Sequence, residues 1–293
     1  MTNPQKHTLQ AKDYLRTWHF WLVHAFAIVG VALTGWSWNG FALAVALYYV
    51  KMFFITAGYH RYFSHRTYKT SRVFQFVLAV GATLSIQKGP LWWASQHRHH
   101  HKHSDEEDDI HSPKNDGFWW AHVGWILVKD YESTRFDLIH DFAKYPELRF
   151  INRFHLIPVF LMGATLGLVG GWPLFLWGFL VSAVLSWHGT FTINSLSHVF
   201  GKRPYNTSDT STNNILFALL TMGEGWHNNH HHYMNSTNQG FRWYQIDLTY
   251  YLLKLLSVFG VVWDLKKPPK HIIENRPKRE KVRREASALK RAA

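Results

Sequence analysis

Residues 151–193 read INRFHLIPVFLMGATLGLVGGWPLFLWGFLVSAVLSWHGTFTI, and the way this run divides decides the fold. It is apolar beyond its first few residues. It is also about twice as long as the ~20 residues that cross ~30 Å of hydrocarbon at ~1.5 Å per residue. Gly170-Gly171-Trp172-Pro173 lies at its middle, and closely spaced glycine and proline break helices. The run therefore predicts two membrane spans, 151–170 and 173–193, joined by a tight turn.

A second pair of spans is expected upstream, at 18–38 and 40–59, joined around Trp38-Asn39-Gly40. Neither short turn contains Lys or Arg. The opposite ends are rich in both: Lys6, Lys12 and Arg16; Arg61, Arg66, Lys69 and Arg72; Lys144, Arg149 and Arg153; and eleven more from residue 266 onward. The positive-inside rule then places both termini and both long connections in the cytoplasm. Apolar runs at 73–86 and 250–263 are too short to cross and contain Gln75 and Lys254, so the first is expected to be an interfacial or re-entrant helix and the second an amphipathic helix lying on the surface. The expected fold class is all-α: an integral membrane protein of four transmembrane helices with a cytoplasmic helical cap. The expected divisions are an N-terminal arm (1–17), the membrane domain with its cap (18–265) and a basic tail (266–293) that is disordered or bound to anionic lipid.

Composition supports that reading. The 293 residues include no cysteine, which removes thiolate zinc, iron–sulfur and disulfide chemistry together. Net charge is +13, yet 17% of residues are aromatic, with 15 tryptophans. That balance points to aromatic belts and a basic membrane surface rather than to nucleic acid. Residues 1–17 are polar and show no signal peptide.

The long connections carry His60-x4-His65, His97-x2-His100-His101 and His227-x2-His230-His231. Neutral imidazole is the commonest nitrogen ligand of transition metals. In the last two clusters the i, i+3, i+4 spacing puts three imidazoles on one face of a helical turn. Three such elements on one side of the membrane offer more ligands than one ion takes, so a pair of metals is expected. Asn194 and His198 share a face where the fourth span ends. Glu224 is placed to accept a ring N–H from a ligating histidine, and the acidic run Asp105–Asp109 either does the same or, for most of its members, is a solvated charged loop. His99, His103, His111 and His232 fall off phase and are expected outside the centre, and His24, His122, His140, His155 and His188 have no cluster partner. Glu224-x2-His227 is half of a carboxylate-bridged di-iron pattern, and without a second copy that design is rejected. A metal transporter would place its ligands at the membrane midplane, whereas these lie outside the spans.

Together with His60-Arg61, Ser64-His65-Arg66-Thr67-Tyr68-Lys69, His97-Arg98, His122-Val123-Gly124-Trp125, Asn194-Ser195, Arg203-Pro204-Tyr205 and Gly223-Glu224-Gly225, the boxes resemble the integral-membrane fatty acid desaturase family. The nearest likeness is to its acyl-CoA (stearoyl-CoA, Δ9-type) branch, and it covers residues 58–267. The resemblance implies an O2-dependent oxidoreductase that introduces a cis double bond, at Δ9, into a long-chain fatty acyl thioester. It implies two Fe ions on His60, His65, His97, His100, His101, His198, His227, His230 and His231, with Asn194 acting through water and Glu224 behind the ligands. Zinc can replace iron in overexpressed protein, since both accept imidazole.

Three positions depart from the animal acyl-CoA enzymes. Ser95-Gln96 stands where they carry Arg-Asp, Phe191 where they carry Trp, and Lys129-Asp130 where they carry a basic pair. Gln87, Trp93, Lys129, Trp187 and Phe191 are the expected substrate contacts, and the acyl carrier is CoA, acyl carrier protein or phospholipid. No His-Pro-Gly-Gly haem segment is present, so the electron donor is expected to be a separate ferredoxin, rubredoxin or cytochrome b5-like protein, and the setting a bacterial inner membrane. A lipid hydroxylase or alkane monooxygenase is the alternative within this chemistry.

Overall fold

The computed structural model describes residues 7–274. Its frame is four apolar helical legs. The first, Trp18–Thr34, stops at Gly35, whose φ of 80° lies in the left-handed region that favours glycine. The second starts at Trp38 because the Ser37 hydroxyl accepts the N–H of Gly40, a serine N-cap. The turn expected around Trp38-Asn39-Gly40 is thus displaced upstream to residues 35–37. This leg runs through Phe53 straight into a π-helical stretch, Phe54–Ser64, and so ends beyond the expected residue 59.

Two helices are long and apolar enough to cross a membrane, Trp38–Ser64 and Leu156–His198. Trp18–Thr34 has 17 residues. The 43 residues of Leu156–His198 would reach about 65 Å if straight, roughly twice a bilayer core. They do not run straight. Gly171 sits at φ 60°, ψ −156°, two residues before Pro173, and the chain folds back there as its sequence dictates. A Cβ at Gly163 would touch Phe179 and Phe175, so the third and fourth legs lie side by side. Leu176, Trp177 and Leu180 of the fourth leg pack on Ala27 of the first and Ala44 of the second. Outward-facing Leu33, Phe160 and Leu168 are largely exposed, an apolar flank of the bundle.

The segments between the legs form a folded unit over one end of the bundle. Arg72–Thr83 and Leu248–Val258 are short helices capped by Ser71 and Asp247, and Tyr59, Phe63, Tyr68, Leu91 and Leu148 form its core. One part departs from the all-helical expectation: Lys69–Thr70 pairs antiparallel with Val262–Trp263, and the second short apolar run is helical only to Val258. The expected tail begins with a helix, Lys270–Glu274, and its remainder lies outside the described residues.

Candidate metal centre

His60 and His65 are five residues apart, which on an α-helix would set them about 140° apart around the axis. The π-helical stretch removes that offset. The His65 N–H reaches the His60 carbonyl at 3.2 Å, an i→i+5 bond that stacks one residue over the other. The second box lies on Pro90–His103, started by a proline at its first position, and the third on His227–His232.

These elements converge in two groups of ring nitrogens: His60, His65, His97, His101 and His230 in one, and His100, His198, His227 and His231 in the other. The nine expected ligand histidines are all brought together. They are divided, however, in a way the one-face reading missed. The i, i+4 pairs His97/His101 and His227/His231 each stay together, while the i+3 member, His100 or His230, crosses to the opposite group. Each helix thus serves both groups.

Within the groups the Nε2 atoms face each other: His60 to His230 at 3.0 Å, His65 to His97 at 2.9 Å, His101 to His230 at 2.9 Å and His198 to His227 at 3.0 Å. The outer nitrogens are tied down. His60 Nδ1 is 2.6 Å from Glu224, His100 Nδ1 is 2.8 Å from Asp109 and His231 Nδ1 is 2.7 Å from Asp209. His198 Nδ1 is 3.2 Å from the Thr210 hydroxyl. A carboxylate on Nδ1 fixes the proton there and leaves the Nε2 lone pair directed inward. Nε2 of His100 and of His231 is buried with no hydrogen-bond partner, as expected of nitrogens meant for a metal. Burial pulls His65, His97, His101, His227 and His230 well below the usual histidine range, so they are neutral and able to ligate. Burial would lower His100 too, but Asp109 outweighs it and raises that group. A buried set of imidazoles with carboxylates behind several of its members fits transition metals such as iron or zinc.

Glu224 stands behind His60, as expected, and does not enter either group of nitrogens. Burial alone would raise its carboxyl, yet His60 and Arg61 hold it down at about 2. Arg61 is fully buried and donates to Glu224 at 3.0 Å, to both oxygens of Asp247 at 2.9 Å and to the Thr237 carbonyl. Of the acidic run, Asp109 and Asp105 turn inward; Asp105 accepts from Thr210 and lies 3.8 Å from His198. Glu106, Glu107 and Asp108 stay exposed.

Asp209, Thr210, Gln239 and the Arg61–Asp247 pair were not foreseen. Nor was the role of the spacer residues in the third box. Asn228 is held by Tyr205, and Asn229 donates to the Gln239 carbonyl. His24, His188 and His122, read from the sequence as having no cluster partner, form a hydrogen-bonded row that ends on the Ser195 hydroxyl. His111 stacks on His100 at 4.2 Å between ring centres.

Asn194 borders a space of about 30 Å³ together with His60, His97, His100 and His227, room for a water. A much larger cavity of about 780 Å³ begins at His97, His111 and Asn194 and reaches Phe160 and Phe179 among the legs. Gln87, Trp93, Trp187 and Phe191 line it, whereas Lys129 is exposed and does not. Trp93 stacks on His97 and donates to Gln87, whose amide donates to Thr190.

The family model described as Fatty acid desaturase matches residues 36–262. The chain is 37% identical over 276 residues to an acyl-CoA C20 Delta5-desaturase of Anemone leveillei, covering 90% of this chain and 88% of that one. It is 34% identical to an sn-1 stearoyl-lipid 9-desaturase of Anabaena variabilis, covering 87% and 94%. A Delta-9 acyl-lipid desaturase of Arabidopsis thaliana is 35% identical, covering 87% and 83%.

Proposed function

We infer that this chain, which belongs to the fatty acid desaturase family, removes two hydrogens from adjacent methylenes of a long acyl chain and leaves a cis double bond at Δ9. The stoichiometry consumes one O2, two electrons and two protons and releases two waters. A methylene has no acidic proton for a side-chain base to take, so the oxidising power belongs to a cofactor. Two iron ions on the nine histidines would supply it when bound.

The observation that carries this reading is the large cavity, which joins His97 of the five-histidine group to apolar walls within the bundle. Its volume is that of a ligand site. Trp93, braced by Gln87 and lying flat on His97, holds the acyl chain off the ring and defines its lane past the centre. Trp187 is fixed by its N–H on the Ile86 carbonyl and by stacking on Phe20, and it walls the deeper part. Asn194 holds a water beside the nitrogens. The Δ9 position is supported by the Anabaena and Arabidopsis relatives. The carrier is a thioester such as acyl-CoA or a lipid ester, and the electrons come from a separate donor. We place all four legs across the membrane, with termini and centre in the cytoplasm, on the strength of the lysine and arginine asymmetry.

The test is fatty-acid analysis of a desaturase-deficient host expressing the chain, with His230→Ala as control. A new Δ9 alkene that needs O2 supports the reading. A hydroxylated chain without an alkene, or metal uptake without any lipid product, sinks it.

A further inference from the structure

The large cavity has a mouth, and its position bears on the form in which the acyl chain arrives. Its inner end is at His97, His111 and Asn194. Its outer end lies between the start of the first leg, at Trp18 and His19, and the start of the third, at His155, Leu156 and Phe160. Trp18 is 60% exposed, Leu156 46% and Phe160 71%, although all three line the cavity. The wall is therefore open on that side. The opening faces the apolar flank that the legs present to lipid, at the level where both helices begin.

Among the described residues that line the cavity, Lys88 and Glu132 are the charged ones apart from histidines. The Lys88 ammonium donates to the Glu132 carbonyl at 3.1 Å and lies 4.7 Å over the Trp92 ring. Burial draws its pKa down to about 8. Arg16 donates to the Leu127 carbonyl and is 3.8 Å from the Glu132 carboxylate. Gln96 donates to the carbonyls of Tyr131 and Ser133, and its own oxygen accepts from Arg135. A coenzyme A thioester brings a pyrophosphate and a further phosphate, which call for several uncommitted cations or N–H groups. A glycerolipid brings an ester, a headgroup of low charge and a second apolar chain, which calls for an opening toward the bilayer.

We propose that the acyl chain enters sideways from the bilayer, still esterified to a glycerolipid, through the gap between the starts of the first and third legs. The headgroup stays at the mouth beside Lys88 and Glu132, and the sibling chain remains in the membrane along Leu156 and Phe160. This rests on the desaturase reading and adds the substrate class to it.

The test uses membranes of a desaturase-deficient host that carry the full chain. One sample has isotopically labelled stearate already in its glycerolipids, a second receives labelled stearoyl-CoA with acyl transfer blocked, and both receive reduced ferredoxin and O2. The expected result is an alkene in the glycerolipid label and conversion of stearoyl-CoA at least about tenfold slower. Conversion of stearoyl-CoA alone overturns the lipid-ester proposal and leaves the desaturase reading standing. Conversion of neither label overturns both. The absence of cysteine from the chain permits a second measurement. In Leu156→Cys, a bulky maleimide on the single thiol should cut glycerolipid conversion by about tenfold relative to the same variant unlabelled. An unchanged rate would place the lipid's path elsewhere and overturn the lateral mouth.

Discussion

The two histidine groups solve the same problem with different means. The group of His60, His65, His97, His101 and His230 has five imidazoles and one carboxylate behind them, Glu224, which is itself tied to Arg61. The group of His100, His198, His227 and His231 has four imidazoles, with Asp109 and Asp209 on their outer nitrogens, Asp105 close to His198 and no arginine paired to any of the three among the described residues. One group relies on ligand number, the other on negative charge. The difference teaches that two nearby cations, if held here, would be compensated unevenly. Carboxylates would neutralise a metal in the second group, and a full set of imidazoles would hold one in the first.

The hardest blow to that contrast is His230→Ala. His230 Nε2 meets both His60 and His101, so its loss opens the five-membered group at its centre. Activity should fall by roughly a thousandfold or more, and elemental analysis should find about one metal per chain rather than two. Equal loss of both metals would show that the groups do not load separately. Next is Arg61→Leu. It leaves Glu224 and Asp247 buried without their shared cation, at a cost of about 3–5 kcal/mol, read as a lowered thermal midpoint of metal-free protein. Adding Asp247→Asn should recover part of that loss.

Asp209→Asn acts on the other side. It removes the ionised partner of His231 and should weaken the second metal by about 10–100-fold in a chelator competition while sparing the first. An equal effect on both metals would erase the distinction. The mildest effect is that of pH. Burial lowers His231 from 6.5 to about 4 in the folded chain, so between those values the unfolded chain binds the extra proton. Stability of the metal-free protein is therefore complete above 6.5 and falls as pH drops from 6.5 toward 4. Denaturant midpoints across that range test the sign, and a rise on acidification would refute it.

The hairpin of the third and fourth legs was legible because glycine and proline at 170–173 punctuate an otherwise unbroken apolar run. The nine histidines were legible because imidazole at helical spacing has few structural uses. Their division into two groups was not, since spacing along one helix says nothing of what stands on either side of it. Asp209 was hidden in a run of serine and threonine that reads as an ordinary loop. It matters only because Thr207 and Ser211 turn its carboxylate toward a histidine 22 residues on. The Lys69–Thr70 and Val262–Trp263 ribbon has strands of two residues, too short to show any alternation. The row His24–His188–His122 joins three distant parts of the chain, and no local pattern marks such a meeting.

The widened turn at Phe54–Ser64 makes the first box a matter of arithmetic. Deleting one residue between His60 and His65 would give the pair ordinary i, i+4 spacing, and an α-helical turn would then align the two rings by itself. The surplus residue commits this segment to the rarer geometry, and every side chain that packs around it is keyed to that extra step. A histidine pair five apart inside an apolar helix is thus a ruler mark: where it occurs in another chain and both rings must face one metal, the backbone between them has to widen.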